Sequence, residues 1–302
     1  MDNIDIAIVG AGSAGCILAN RIISNTNYNV LLIEAGPKDN SPVIHIPLGY
    51  GMTFYNKKIN WNFYSNSQKN LFNREIYYPR GKVLGGSSSI NGMVYARGLN
   101  TDYDNWSLNS ELSLSNIKQS FDEIEQTVDS NVSSLEQNKV PVNDVSDSHH
   151  PLLKYFFNGC KDMGIKFNKN LNSDIKDQVG HYNITTFKGS RYSSSKIFLK
   201  PILKDKRLTL LTKACVKKII FKNRKVQAIE VLTNNKIIKI NPKIGTILSA
   251  GSIMTPYILM HSGIGDADKL KNFDREIIID NRNVGKNLQD HLGLDYLFKT
   301  FH

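Results

Sequence analysis

The chain has 302 residues, of which 40% are hydrophobic and 22% charged, and a net charge of +11. That length buries a substantial core and predicts about two domains. The lysines are scattered, as in IKDQ, LKDKR and VKKIIFKNRK. No long basic block carries interleaved aromatics, which argues against a nucleic-acid partner and leaves a solvated basic surface able to attract a phosphorylated cofactor.

Cys16, Cys160 and Cys215 are odd in number and far apart, without CxxC or CxxH spacing, so neither a disulfide framework nor a metal site is expected. A secretory signal opens with positive charge, whereas this chain opens with Asp2 and Asp5. No uninterrupted apolar run reaches membrane-spanning length. The expected location is the cytoplasm.

IDIAIVG is a nearly continuous, β-branched apolar run, as in a strand buried on both faces. SAGCILANRIIS has helical spacing and NVLLIEAG reads as a second buried strand, completing a βαβ unit. Residues 37–80, punctuated by Pro37, Pro42, Pro47 and Pro79, read as a long irregular loop. A surface helix is expected in SLSNIKQSFDEIEQTV, capped by Ser113 or Ser115, and a mobile loop in the polar stretch 129–150. PLLKYFFNGCKDMGI reads as an amphipathic helix. Then RLTLLT, ACVKKIIFK, VQAIEVLT and KIIKINP, with turns at Asn223-Arg224 and Asn234-Asn235, predict an antiparallel meander over about 207–241. GTILSAG is a further apolar strand, followed by the helix MTPYILMHSG.

Gly10, Gly12 and Gly15 fit G-x-G-x-x-G between the first strand and its helix, with Ser13 and Ala14 completing the turn. Glu34, followed by Ala35, ends the next strand 19 residues after Gly15. The glycines permit a tight turn and close approach of backbone to a pyrophosphate, the helix N-terminus supplies unpaired N–H donors, and the acid accepts from a ribose hydroxyl. A dinucleotide site follows, and the motif alone leaves NAD and FAD both open.

YYPRGKVLGGSSSINGMVYARG, Tyr77 to Gly98, has few large side chains and many backbone N–H groups free to meet a ligand. Gly85, Gly86 and the serines from Ser87 onward can bring N–H groups and hydroxyls against phosphates. Here the chain resembles the glucose–methanol–choline (GMC) oxidoreductase family. GKVLGGSSSINGMVYARGLNTD matches the family's first signature and GSIMTPYILMHSGIG its second. DYDNW, GSRYSSSKIFLKP and VGKNLQDHLG are similar to further family segments in the family's order.

The resemblance implies FAD, an α/β fold with a mainly parallel Rossmann-like sheet plus the meander, and oxidation of CH–OH groups as in choline or alcohol dehydrogenases. It implies that Val83 and the run Asn91, Gly92, Met93, Val94 lie along the flavin and that Val216 meets the adenine end through its backbone. Some members carry a histidine at position 90 that tethers the flavin; Ile90 cannot, so non-covalent FAD is expected. The implied layout is a first FAD-binding part over 1–106, a lid and partial substrate region over 107–189, and a second FAD-binding part over 190–302.

The family's histidine base is expected beyond residue 302, so no catalytic residue is assigned. His45, His149, His150, His181, His261, His291 and His302 all stand outside any catalytic-type motif. His149-His150 reads as a solvated pair rather than a metal site, and His291 as structural. A small-molecule alcohol would be the partner once a C-terminal half completes the site. The alternative is an FAD-binding remnant without turnover.

Overall fold

The computed structural model describes residues 3–106, 110–129, 131–291 and 293–299; Asp2, Leu292 of the last quoted segment, and His302 lie outside them. Strand β1 (Ile6–Val9) runs into helix α1 (Ser13–Asn25) and returns as β2 (Val30–Ile33). β1 and β2 pair in parallel, from Ile6 opposite Val30 to Val9 opposite Ile33. Every β2 residue is buried, which is why the segment is apolar throughout rather than alternating.

Much later come β3 (Leu208–Leu211), the antiparallel strands β4 (Ala214–Lys222), β5 (Lys225–Thr233) and β6 (Lys236–Ile240), then β7 (Gly245–Leu248) and helix α2 (Gly251–His261). β3 and β7 complete a parallel sheet ordered β3-β2-β1-β7. Side-chain alternation splits the core in two. Ile8, Val30 and Leu32 face Cys16, Ala19 and Ile23 of α1 together with Ile197 and Phe198. Val9, Leu31 and Ile33 face Val216, Ile219, Ile229 and Val231 of the meander. Each such aliphatic side chain contributes roughly 1.5–3 kcal/mol by leaving water, so the sheet is held from both sides.

Two expectations need correction. RLTLLT is not part of the meander: Leu208–Leu211 runs parallel to β2, Leu208 opposite Val30. Local strand–turn spacing predicts hairpins, whereas this pairing joins residues far apart in sequence. Nor is 129–150 merely loop. Val140–Asn143 forms a strand parallel to Glu125–Val128, with Pro141 and Val142 buried.

The surface helix spans Leu114–Ile124, with Ser113 accepting from the Asn116 N–H, and the amphipathic helix spans Leu153–Asp162. A second sheet is ordered Val94–Tyr95, Asn183–Ile184, Val140–Asn143, Glu125–Val128. It therefore ties the end of the glycine- and serine-rich strip to the 107–189 region. No described helix is long and apolar enough to cross a membrane.

Candidate functional site: a cofactor cleft at the strand ends

The carboxyl ends of β1, β2 and β7 open into a cleft of about 470 Å³, within the range of small-molecule and cofactor sites. Gly10, Gly12, Ser13, Ala14, Glu34, Ala35, Gly86, Ser87 and Val216 line it. The lining therefore draws together residues nominated from four separate segments.

The glycine turn is dictated by space. Gly10 has φ +100°, and a Cβ there would stand 2.6 Å from the carbonyl oxygen of Ser249. Its own N–H donates to Ile33 O at 2.8 Å, which holds the turn against β2. Gly12 caps α1 without any side-chain hydrogen bond, and the first turn carries no acid. The opening N–H groups of a helix lack intrahelical partners and carry positive dipole charge. This end of α1 is thus a polarised set of donors facing the cleft. Gly15 lies one turn deeper, outside the lining, where a Cβ would collide with Gly10 O at 1.9 Å.

Glu34 is 5% exposed. Its Oε2 accepts from the Ala11 N–H at 3.0 Å and its Oε1 from the Gly36 N–H at 2.8 Å. Burial pushes its pKa up to about 7, opposed by the Gly36 and Ala11 N–H groups and by Lys82. The carboxylate is fixed in position at the mouth of the cleft, and each oxygen keeps a lone pair for a further donor.

The strip approaches α1 backbone to backbone. Gly85 N–H donates to Ala11 O at 2.8 Å, and a Cβ on Gly86, φ +56°, would stand 2.7 Å from Gly12 Cα. Of the three serines only Ser87 lines the cleft. The hydroxyls of Ser88 and Ser89 instead donate to Gly85 O and Leu84 O, each at 2.6 Å, and shape the turn. Val83 is wholly buried among Ile44, Ile59 and Ile90, behind the cleft. Asn91, Gly92, Met93 and Val94 continue the strip past the lining; Asn91, Gly92 and Val94 are exposed, and Met93 is buried with φ +64°.

Sequence reasoning missed part of the wall. Trp61 and Phe63, stacked with centroids 5.6 Å apart, line the cleft with Arg80 and the segment from Ser249 to Thr255 that begins α2. The second signature contains most of that segment, and Arg80 lies within the Tyr77–Gly98 stretch, directly before the first signature. Nothing in the pattern of residues 37–80 singled out Trp61.

None of the described histidines lines the cleft. His45 bonds Asp39 O, His149 stacks on His181, and His261 stacks on Tyr257. Among the described residues no cluster of three or more His, Cys, Asp or Glu could hold a metal.

An elongated dinucleotide fits this donor set. Among the described residues the N–H groups that open α1 have no partner and suit a pyrophosphate, while Glu34 after β2, Val216 of β4 and the Gly86–Ser87 turn line the same cleft. A Cβ at Gly10 or Gly86 would collide with the Ser249 carbonyl or with Gly12 Cα and displace the backbone that shapes that cradle.

The chain is 38% identical over 297 residues to the alcohol dehydrogenase [acceptor] of Pseudomonas putida, covering 96% of this chain and 53% of that protein. It is 32% identical to the mitochondrial choline dehydrogenase of Mus musculus, covering 96% and 50%. It superposes on pyridoxine 4-oxidase from Mesorbium loti with a TM-score of 0.85 at 27% identity, covering 92% of this chain and 55% of that one. Formate oxidase of Aspergillus oryzae, described with its FAD, gives a TM-score of 0.84 at 27% identity, covering 95% and 52%. The chain spans about half the length of the curated relatives it matches. The profile of the GMC oxidoreductases matches residues 4–293, and the chain belongs to that family, whose cofactor is FAD.

Proposed function

We propose that the cleft binds FAD non-covalently and that this chain is the FAD-binding portion of an enzyme oxidising a small-molecule alcohol. One observation carries the reading: the unpartnered N-terminus of α1, the buried Glu34 and the Gly86–Ser87 turn face one cleft large enough for a cofactor. Bound FAD supplies a two-electron oxidant for the alcohol carbon.

The chain's own residues bind and orient. The N–H groups at Gly12 to Ala14 take the pyrophosphate charge, Glu34 accepts from ribose hydroxyls, and the Val216 backbone meets the adenine. Gly86 lets the strip lie against α1, and the run Asn91 to Val94 borders the flavin ring. Ile90 is 2% exposed and offers no nucleophile for a covalent tether. Residues 1–106 and 190–302 are read as the two parts of the FAD unit, and 107–189 as a lid and partial substrate region.

The proton acceptor of such an enzyme is assigned to the part of the relatives' length that this chain does not cover. Leu294, Tyr296, Leu297 and Phe298, all exposed, offer apolar surface for it. Free Cys16, Cys160 and Cys215 suit a reduced, cytoplasmic setting. Binding without turnover is the second reading, favoured by the absence of any described histidine from the cleft.

The test is an absorption spectrum of the chain after FAD addition and gel filtration. Flavin bands that survive filtration and are released by acid support the reading. A folded chain that retains no flavin overturns it. Bleaching on addition of alcohol distinguishes turnover from binding alone.

A further inference from the structure

A buried cation stands behind the strip. Arg191 is 0% exposed, and its side-chain hydrogen bonds among the described residues all go to neutral oxygens. Nε donates to Ile44 O at 2.8 Å, Nη1 to Ser88 O at 3.1 Å and Asn91 Oδ1 at 2.6 Å, and Nη2 to Asn91 O at 2.7 Å. Burial lowers its pKa only to about 10, so it is charged at neutral pH. Withdrawing a charge from water without a counter-charge is unfavourable and is tolerated where several well-placed dipoles replace the water. Here three of the four dipoles belong to Ser88 and Asn91.

The neighbouring contacts act in the same direction. Ser194 N–H donates to Ser88 Oγ at 2.9 Å, and Thr185 N–H to Met93 O at 2.9 Å. Asn91 Oδ1 also accepts from Met93 N–H at 3.2 Å. Met93 has φ +64°, a left-handed conformation that a non-glycine residue holds only when its surroundings enforce it. With two N–H donors on Oδ1, the Asn91 amide is fixed, and its Nδ2 donors have no protein partner among the described residues. Asn91 is exposed, and a Cβ added at the adjacent Gly92 would meet nothing within 4 Å. The donor pair therefore stands on an exposed residue, next to a glycine whose Cβ position is open.

We propose that Arg191 is a positioning residue: it clamps Ser88 and Asn91 so that the adjoining Gly86–Ser87 turn keeps its place against α1 at the cofactor cleft. The assignment rests on the cleft binding FAD, and one arm of its test needs no flavin.

In the apo chain, hydrogen exchange is followed for Arg191→Lys and Arg191→Met. Peptides covering residues 88–94 are expected to exchange at least about tenfold faster, while those of β1, α1 and β2 keep their protection. In the flavin arm, R191K and N91A each weaken FAD binding at least about tenfold and shift the visible flavin band. The double variant R191K/N91A binds no worse than the weaker single one, because both remove the same contact. N91A leaves three of the four Arg191 acceptors in place, including the backbone oxygen of residue 91, and is the milder variant should R191M fail to fold.

Unchanged exchange at 88–94 in both Arg191 variants overturns the clamp. So does wild-type FAD affinity and spectrum in N91A, or losses that multiply in the double variant. A wild-type chain that takes up no FAD refutes the FAD reading instead, and the exchange arm still decides the clamp.

Discussion

Replacing Glu34 by Gln tests the electrostatics of the cleft directly. The carboxyl is 5% exposed, and burial raises its pKa from 4.5 to about 7. The folded chain therefore holds the proton more tightly than the unfolded one. That contribution to stability is fully present below about pH 4.5 and is lost as pH rises through 7. At about 1.4 kcal/mol per pKa unit, the change amounts to ~3 kcal/mol. Gln carries no charge to desolvate but offers one acceptor oxygen to two N–H groups, Ala11 and Gly36. That deficit costs about 1–3 kcal/mol and does not depend on pH. Urea unfolding of the apo chains should show the wild type ahead at pH 5 and losing ~2.5 kcal/mol relative to E34Q by about pH 8, so that the lead of about 1–3 kcal/mol vanishes or reverses. A difference that stays constant would refute the reasoning, because the two N–H groups would then keep Glu34 ionised throughout. The same sign predicts a linked effect: ribose hydroxyls donating to Glu34 favour its ionised form, so FAD binding near pH 7 releases protons. Calorimetric heats should then scale with the ionisation enthalpy of the buffer.

Gly86→Ala places a Cβ 2.7 Å from Gly12 Cα at φ +56°. Crowding and the left-handed backbone together cost ~2–4 kcal/mol, so FAD titration should show affinity lowered about thirtyfold or more; an unchanged Kd would mean the strip need not touch α1. The chain has two tryptophans, and Trp61 lines the cleft while Trp106 is 52% exposed. Quenching of tryptophan fluorescence by FAD should therefore vanish in W61F and persist in W106F. Val216→Ala removes side-chain volume at a residue 4% exposed, lowering stability by about 1–3 kcal/mol. It should leave FAD affinity unchanged, because the adenine contact is through backbone; a parallel fall in affinity would contradict that.

The parts of the fold readable from sequence were those with a local period. β1, α1 and β2 occupy consecutive residues, and their burial on both faces shows as unbroken apolar runs. Ser113 announced its helix because a cap acts within three residues. β3 was misassigned because its four residues, Leu-Thr-Leu-Leu, suit an edge strand of either sheet. What decides between them is the register with Val30–Ile33, and that is set by packing across the whole chain. Val140–Asn143 is hidden for a similar reason: its pairing with Glu125–Val128 needs only four residues, set in a polar stretch and with Val140 and Asn143 half-buried.

The site divides along the same line. Where a ligand is to be met by backbone, the residue requirement is absence of bulk, and absence of bulk is conspicuous in a sequence. Gly10, Gly12 and Gly86 could be nominated on that basis, and all three stand on the cleft. Where the wall is made of side chains carried by loops or very short strands, as at Trp61, Phe63 and Arg80, no spacing marks them. They reach the cleft because the parallel sheet brings the carboxyl ends of β1, β2 and β7 to one edge, where connecting loops collect. Arg191 shows the limit most sharply. An arginine in a serine-rich segment reads as surface, yet here it is wholly buried because the strip turns its carbonyls inward at Ser88 and Asn91. A chain whose cofactor contacts are mostly backbone needs side chains behind them to hold that backbone still. Exchange rates and flavin spectra of Arg191 variants therefore report on the site as directly as substitutions within it.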